Sequence, residues 1–181
     1  ESLNEKLAHS GAKIVVQRLK LIDEINENLK SIVKLSPSPI REIRIERNRK
    51  LDPERVEQEL IATLSGQMDW EIRRGLSMIG PHRSRFNISL NGLAIENYGS
   101  SGQKRFCILL LKLCEIGILE RAKGEKPIIL ADDIFLELDQ EKIAFLCQQL
   151  QETGCQLFVT STKDESSYFQ APHLYTVEEG S

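Results

Sequence analysis

With 181 residues, 40% of them hydrophobic, the chain has room for one domain of good size or two small ones. A net charge of −3 excludes a chain-wide attraction to nucleic acid, so contact with DNA would need a local patch. No apolar run is long enough to span a membrane, and the first residues show no signal-peptide pattern.

Leu3, Leu7, Ile14, Ile22, Ile25, Leu29 and Ile32 recur at roughly helical spacing and predict a long amphipathic helix over residues 3–35, with Gly11 as the place where it could bend. The repeat is not a sustained heptad, which argues against a long coiled-coil arm. Ser36-Pro37-Ser38-Pro39 ends the helix, because proline cannot continue it. Residues 40–45 alternate polar and apolar and predict a short strand. Asp52-Pro53-Glu54 supplies a capping acid and a proline for the first turn. A helix is expected from there to about Ser65, with a second short one over residues 69–74. From Gly80 the pattern changes. Phe86, Ile88 and Leu90 alternate, Asn91-Gly92 follows, and residues 94–96 form the return arm of a hairpin. Next come a helix over 102–121, a strand opened by Pro127, a helix over 140–152, a strand over 156–161 and a last strand over 175–178. Alternating strand and helix beyond residue 125 predicts a parallel α/β sheet. Cys107, Cys114, Cys147 and Cys155 lack metal-ligand spacing and read as reduced, buried thiols of a cytoplasmic protein.

Two stretches carry chemistry. In residues 128–139, Ile-Ile-Leu-Ala-Asp-Asp-Ile-Phe-Leu-Glu-Leu-Asp, an apolar run ends in the adjacent carboxylates Asp132 and Asp133, and Asp139 follows six residues later. Burying unpaired charge is costly, so adjacent acids at the end of a buried strand are a poor structural device. They are well placed for chemistry, since open α/β sheets bind ligands at the carboxyl ends of their strands. A nucleotide-hydrolysing site needs one acid to hold Mg²⁺ through water and another to orient the attacking water. Residues 98–105, Tyr-Gly-Ser-Ser-Gly-Gln-Lys-Arg, lead into an apolar helix. Their small side chains let backbone approach a ligand, and the helix end offers free N–H groups to an anion. A helix end contributes only about 0.3–1 kcal/mol, whereas micromolar affinity needs roughly 8 kcal/mol. Such a loop can form only one side of a nucleotide site.

In this order the two stretches resemble parts of the ABC-type ATPase heads. Gly99-Ser100-Ser101-Gly102-Gln103 is similar to the signature, residues 128–133 to Walker B, and residues 136–139 to the D-loop. Gly80-Pro81-His82-Arg83 upstream of the signature, the Asp132-Asp133 form of Walker B, and residues 7–29 with Gly11-Ala12 and Ile14-Val15 resemble the RecF family of bacterial recombination proteins. The resemblance covers most of the chain. It implies an α/β fold: part of an ABC-type P-loop ATPase head, with a mainly parallel sheet, flanking helices and a small antiparallel hairpin, plus a helical lid subdomain. Residues 1–78 would be the lid and residues 79–181 the C-terminal portion of the head. The sequence contains no G-x-x-x-x-G-K-[ST] phosphate loop and does not begin with Met, so the expectation is the C-terminal part of a longer protein whose N-terminal lobe carries Walker A.

The same resemblance implies roles. Asp132 would ligate Mg²⁺, and Asp133 would orient or deprotonate the attacking water. Ser100, Ser101, Gly102 and Gln103 would meet ATP held by the opposite protomer, and Asp139 would cross the dimer interface, although a helix-capping residue would look identical in sequence. Lys163, in Val159-Thr160-Ser161-Thr162-Lys163, stands where such heads often carry a switch His. A lysine there can touch a phosphate as a point charge but cannot act as a near-neutral acid or base without a large pKa shift, so slow turnover is expected. Arg83, Lys104 and Arg105 are candidate DNA contacts; Arg83 could instead stabilise the head–lid junction, Lys104 and Arg105 could favour phosphate or be a solvated pair of charges, and a structural role suits His82 equally well. The implied protein is an ATP-dependent DNA-binding protein of recombinational repair and replication restart, cytoplasmic and nucleoid-associated, with no membrane partner. ATP would close two heads into a homodimer on duplex DNA at a single-strand junction. A RecR-like mediator would help load recombinase there, and slow, DNA-dependent hydrolysis would release the clamp. This stretch alone would be inactive and would leave apolar surface exposed. Two other readings stand beside it: another SMC-like chromosome-maintenance ATPase with a long coiled coil, and a non-hydrolysing head that serves as a DNA or partner scaffold.

Overall fold

The computed structural model describes residues 3–37, 39–47, 55–74 and 85–177. Helix α1 (Leu3–Leu35) runs unbroken through Gly11 and buries Ala8, Gly11, Ala12, Val15, Leu19, Ile22, Leu29 and Val33. That stripe differs from the one expected, because Leu3, Leu7 and Ile14 are exposed. The large side chains near the start of the helix had suggested the wrong face; small residues carry the contact instead. From Ala8 to Val33, leaving out Gly11 and counting the half-buried Asn26, the positions are separated by alternating fours and threes. The spacing is therefore heptad-like after all, but the stripe packs on several elements of this chain rather than on one long partner helix.

The first half of α1 packs on α2 (Val56–Arg74), where Val56 and Leu60 meet Ala12, Val15 and Leu19. Two helices were expected here, and one is found. Gly66 does not break it, because one helical glycine costs only about 1 kcal/mol relative to alanine, and a helix fixed by Val56 and Leu64 at buried positions tolerates that. The expected start at Asp52-Pro53 lies outside the described residues.

The second half of α1 rests on an antiparallel sheet of order β1-β2-β3, formed by β1 (Ile43–Arg47), β2 (Phe86–Leu90) and β3 (Leu93–Ala94). Asn26 ties α1 to the outer edge of β1. Its Nδ2 donates to Ile45 O at 3.1 Å, and its Oδ1 accepts from Ile45 N at 2.8 Å. At the tip of the β2–β3 hairpin, Asn91 and Gly92 have φ of +50° and +80°, the conformation that favours Asn-Gly in tight hairpins. Asn91 also accepts from the N–H groups of Arg41 and Glu42, at 2.8 and 3.0 Å, and so fixes the approach to β1.

The hairpin's return arm is shorter than expected. After Ala94 the chain leaves the sheet, buries Ile95 in the core, and closes one helical turn, α3 (Ile95–Tyr98), through Gly99 N to Ile95 O at 2.9 Å. Helix α4 (Ser101–Lys123) crosses the centre of the molecule. Its Phe106 is fully buried with Leu110, Leu29, Ile43 and Leu146, and its ring lies 6.1 Å from that of Phe145. Strand β4 (Ile129–Asp132) pairs in parallel with β5 (Leu157–Thr160) across α5 (Gln140–Glu152), as the alternating pattern predicts. The inner face of this pair, Ile129, Ala131, Leu157 and Val159, turns toward the helices. On the outer face the cross-strand partners Leu130 and Phe158 are 78% and 53% exposed among the described residues. Residues 175–177 form no strand, and Glu178 lies outside the described residues. A strand needs a neighbouring ladder, and among the described residues β5 pairs with β4 alone.

All four cysteines are free; burial pushes the thiols of Cys107 and Cys147 up to about 12 and that of Cys114 to about 11. Among the described residues, no helix is long and apolar enough to cross a membrane.

Replacing Asn26 with Ala leaves both polar groups of Ile45 without their partner. We expect a loss of about 1–3 kcal/mol, hence a melting point lower by about 2–4 °C for each kcal/mol. Thermal denaturation checks this, and a variant that melts with the wild type would contradict the tie.

Candidate functional site

Strand β4 ends at Asp132, and the chain turns sharply at the next residue. Asp133 has φ +50°, in the left-handed region that aspartate tolerates better than most residues. Thr160, the last residue of β5, organises both acids. Its hydroxyl donates to the Asp132 carboxylate, while Asp133 N lies 3.1 Å from Thr160 Oγ1 and 3.2 Å from Thr160 O. Asp132 is exposed and Asp133 half-buried. The turn continues through Phe135, buried with Ile143 and Cys147, to Glu137, also left-handed at φ +64°. Asp139 then caps α5. Its Oδ1 accepts from Lys142 N at 2.9 Å, and Oδ2 pairs with the Lys142 ammonium. The Lys142 side chain first, then its N–H, holds the Asp139 carboxyl below the ordinary value of 3.8.

The signature turn faces this one. Ser100 and Gln103 form a capping box: Ser100 Oγ accepts from Gln103 N at 3.2 Å, and Gln103 Oε1 accepts from Ser100 N at 2.9 Å. The first N–H groups of a helix have no intrahelical partner, so those of Ser101 and Gly102 point out of the helix end toward whatever approaches it. Gly102 lies directly on the D-loop. A Cβ there would sit 2.6 Å from Glu137 O, closer than real side chains come to backbone. One turn further along α4, the Arg105 guanidinium donates to the carbonyls of Asp133 and of Ile134, the latter at 3.3 Å. Lys104 Nζ donates to Glu96 O at 2.8 Å.

Residues from two distant parts of the chain thus meet in one place: Ser100, Ser101, Gly102 and Gln103 on one turn, Asp132, Asp133 and Asp139 on the other. Lys163 lies in the exposed loop after β5, its N–H donating to Ser161 Oγ at 3.2 Å. Arg83, with the rest of Gly80-Pro81-His82-Arg83, lies outside the described residues. Arg105 departs from its expected place as a cation facing solvent, phosphate or DNA, because its donors are turned inward to the Walker B turn. Thr160 was missed in the sequence, although it ends the apolar run of residues 157–159 much as Asp132 ends that of 128–131.

The acids fit a magnesium site of the nucleotide type. Among the described residues, no three His, Cys, Asp or Glu side chains gather into a metal cage. A single exposed carboxylate supported by a hydroxyl suits Mg²⁺, which keeps several waters and takes its other ligands from phosphates.

Because the folded Asp139 carboxyl titrates below its unfolded value, its contribution is present above the unfolded value of 3.8 and disappears as pH falls through the lower folded value. The side chain is 54% exposed, so that contribution is at most about 1 kcal/mol. Asp139→Asn keeps a cap but loses the charge, and should melt slightly below the wild type at pH 7, with the gap closing below pH ~4. A gap that is constant from neutral to acid pH would contradict this assignment.

No family model matches the chain. Proteins called DNA replication and repair protein RecF do match it. That of Acetivibrio thermocellus is 35% identical over 166 residues, covering 88% of this chain and 44% of the relative. Those of Geotalea uraniireducens and Staphylococcus aureus are 36% and 32% identical, covering 87% and 99% of this chain and 45% and 51% of the relatives. Two solved structures of the recombination mediator protein RecF in the RecFOR pathway share the fold. One, with ATP, has a TM-score of 0.72 and 29% identity, covering 90% of this chain and 44% of that chain. The other has a TM-score of 0.71 and 28% identity, covering 89% and 44%. The fold is that of part of an ABC-type ATPase head with its helical subdomain. The chain spans about half the length of the curated relatives it matches, and over that stretch it belongs to the RecF family.

Proposed function

We propose that this chain supplies the signature, Walker B and D-loop side of a RecF-type ATPase that acts on DNA in replication and recombinational repair. The observation that carries the proposal is the docking of the signature turn, at Gly102, onto the turn that follows the paired acids. The relatives' name, DNA replication and repair protein, and the solved structure of a RecF with ATP support the same reading.

In this reading Asp132 holds Mg²⁺ through water, steadied by Thr160. Bound Mg²⁺ would neutralise charge developing on the transferred phosphate. Asp133 orients the attacking water for its own protomer's nucleotide. The N–H groups of Ser101 and Gly102, with the capping pair Ser100 and Gln103, meet the γ-phosphate of ATP bound to a second protomer. ATP therefore favours a homodimer, with Asp139 at its interface and Lys163 as a point charge near the phosphates. Residues 1–78 form the lid and 79–181 the head portion, with the β1–β2 pairing as the seam between them. DNA contacts come from Arg83 and Lys104, while Arg105 is tied within the head. Duplex DNA beside a single-strand gap is the proposed substrate surface, and a RecR-like mediator the proposed partner. The lysine at position 163 favours slow hydrolysis, and it is also what a non-hydrolysing scaffold head would carry.

ATP turnover of the intact protein separates the two. Asp133→Asn should lower the rate by about 10²–10⁴-fold while the ATP-dependent dimer persists. Turnover unchanged in the variant would overturn the role of Asp133, and a wild type with ATP-driven dimers but no turnover would favour the scaffold.

A further inference from the structure

Arg105 links the two halves of the site inside one protomer. It stands on α4 just beyond the signature, half-buried, and reaches across to the turn after β4. Its Nη2 donates to Asp133 O and its Nε to Ile134 O at 3.3 Å. Guanidinium is a planar group with donors in a fixed fork, so one side chain can hold two successive carbonyls; an ammonium group lacks that geometry.

The backbone it holds is an uncommon one. Asp133 lies at φ +50°, where residues other than glycine are seldom found. Thr160 already engages the Asp133 N–H through Oγ1 at 3.1 Å and O at 3.2 Å. With Arg105 on the carbonyl, the peptide units on both sides of the Asp133 Cα are fixed. The direction in which its carboxylate leaves the turn is thereby fixed as well. Gly102, packed on Glu137 O, makes a second contact between the same two turns. Any displacement of the first turn of α4 must therefore be felt at Asp133.

We propose that Arg105 is a positioning residue that couples the signature turn to Asp133, so that a nucleotide seated against one protomer's signature sets the water-orienting acid of that same protomer. This rests on the composite-site reading above. In a closed dimer the signature meets the partner's nucleotide, whereas Asp133 serves its own. Each nucleotide is then sensed at the other site through the Arg105 between them, and turnover depends cooperatively on ATP.

The test is steady-state ATP hydrolysis by the intact protein, with its solution mass measured with and without ATP–Mg²⁺, for the wild type, Arg105→Gln, Arg105→Lys and Asp133→Asn. Glutamine can donate to one carbonyl but has neither the fork nor the charge. For Arg105→Gln we expect kcat to fall by about 10- to 100-fold, the cost of a misplaced reacting group. KM for ATP and the ATP-dependent mass should stay near wild type, and the Hill coefficient should fall from above one to one. Arg105→Lys should recover part of kcat. A purely structural role would instead lower kcat, ATP affinity and dimerisation together, in parallel with thermal stability, and that result overturns the coupling. So does a wild type with a Hill coefficient of one. Full turnover in Asp133→Asn overturns the role given to Asp133 above and the coupling with it, and an ATP-dependent mass that does not change overturns the composite-site reading. An inactive Asp133→Asn beside an unimpaired Arg105→Gln overturns the coupling alone.

Discussion

The contact between the first turn of α4 and the turn after β4 constrains everything around it. Gly102 lies against Glu137 O so closely that even a methyl group would have to displace backbone. Close packing without a side chain sets the distance, and the Arg105 fork sets the rotation. The signature and Walker B lie far apart in the chain, yet they meet as one rigid surface. On it a helix end and two carboxylates are displayed side by side; in the proposed reading the first would take phosphate and the second cation and water.

The rest of the fold supplies the platform. Helix α4 is held from below by Phe106 and Leu110 in the main core and from the side by α1, which reaches it after passing α2 and β1. Asn26 is the polar member of an otherwise apolar stripe, and it occupies the groups of Ile45 that would leave the edge of β1 open. The β4–β5 pair takes its support from α4 and α5 on one face, and it leaves Leu130 and Phe158 bare on the other. The acids emerge where that pair ends, with Thr160 on the neighbouring strand holding them in register.

Much of this was legible in the sequence because it is local. The apolar run before Asp132, the capping role of Asp139, the bounds of α5 and the Asn91-Gly92 turn each follow from neighbouring residues. What was hidden depends on distance or on size. Arg105 looks like any surface cation until α4 is laid against a turn 28 residues away. Small residues mark the true buried face of α1, and a reading weighted by Leu and Ile put the stripe on Leu3 and Leu7 instead. The helix break expected near Gly66 failed because packing on α1 outweighs one glycine. The length of β3 was misjudged because Ile95, strand-like by composition, is more stably placed in the core than in the hairpin.

The central claim is that the signature turn meets a nucleotide belonging to another protomer. The mass of the intact protein in solution tests this most directly, measured with and without ATP–Mg²⁺ beside a Ser100→Arg variant. The account predicts that ATP doubles the mass of the wild type and that the variant stays monomeric, because a bulky cation at the helix cap breaks the capping box and blocks the approach. A mass that ATP leaves unchanged, or a variant that dimerises as readily as the wild type, would contradict it.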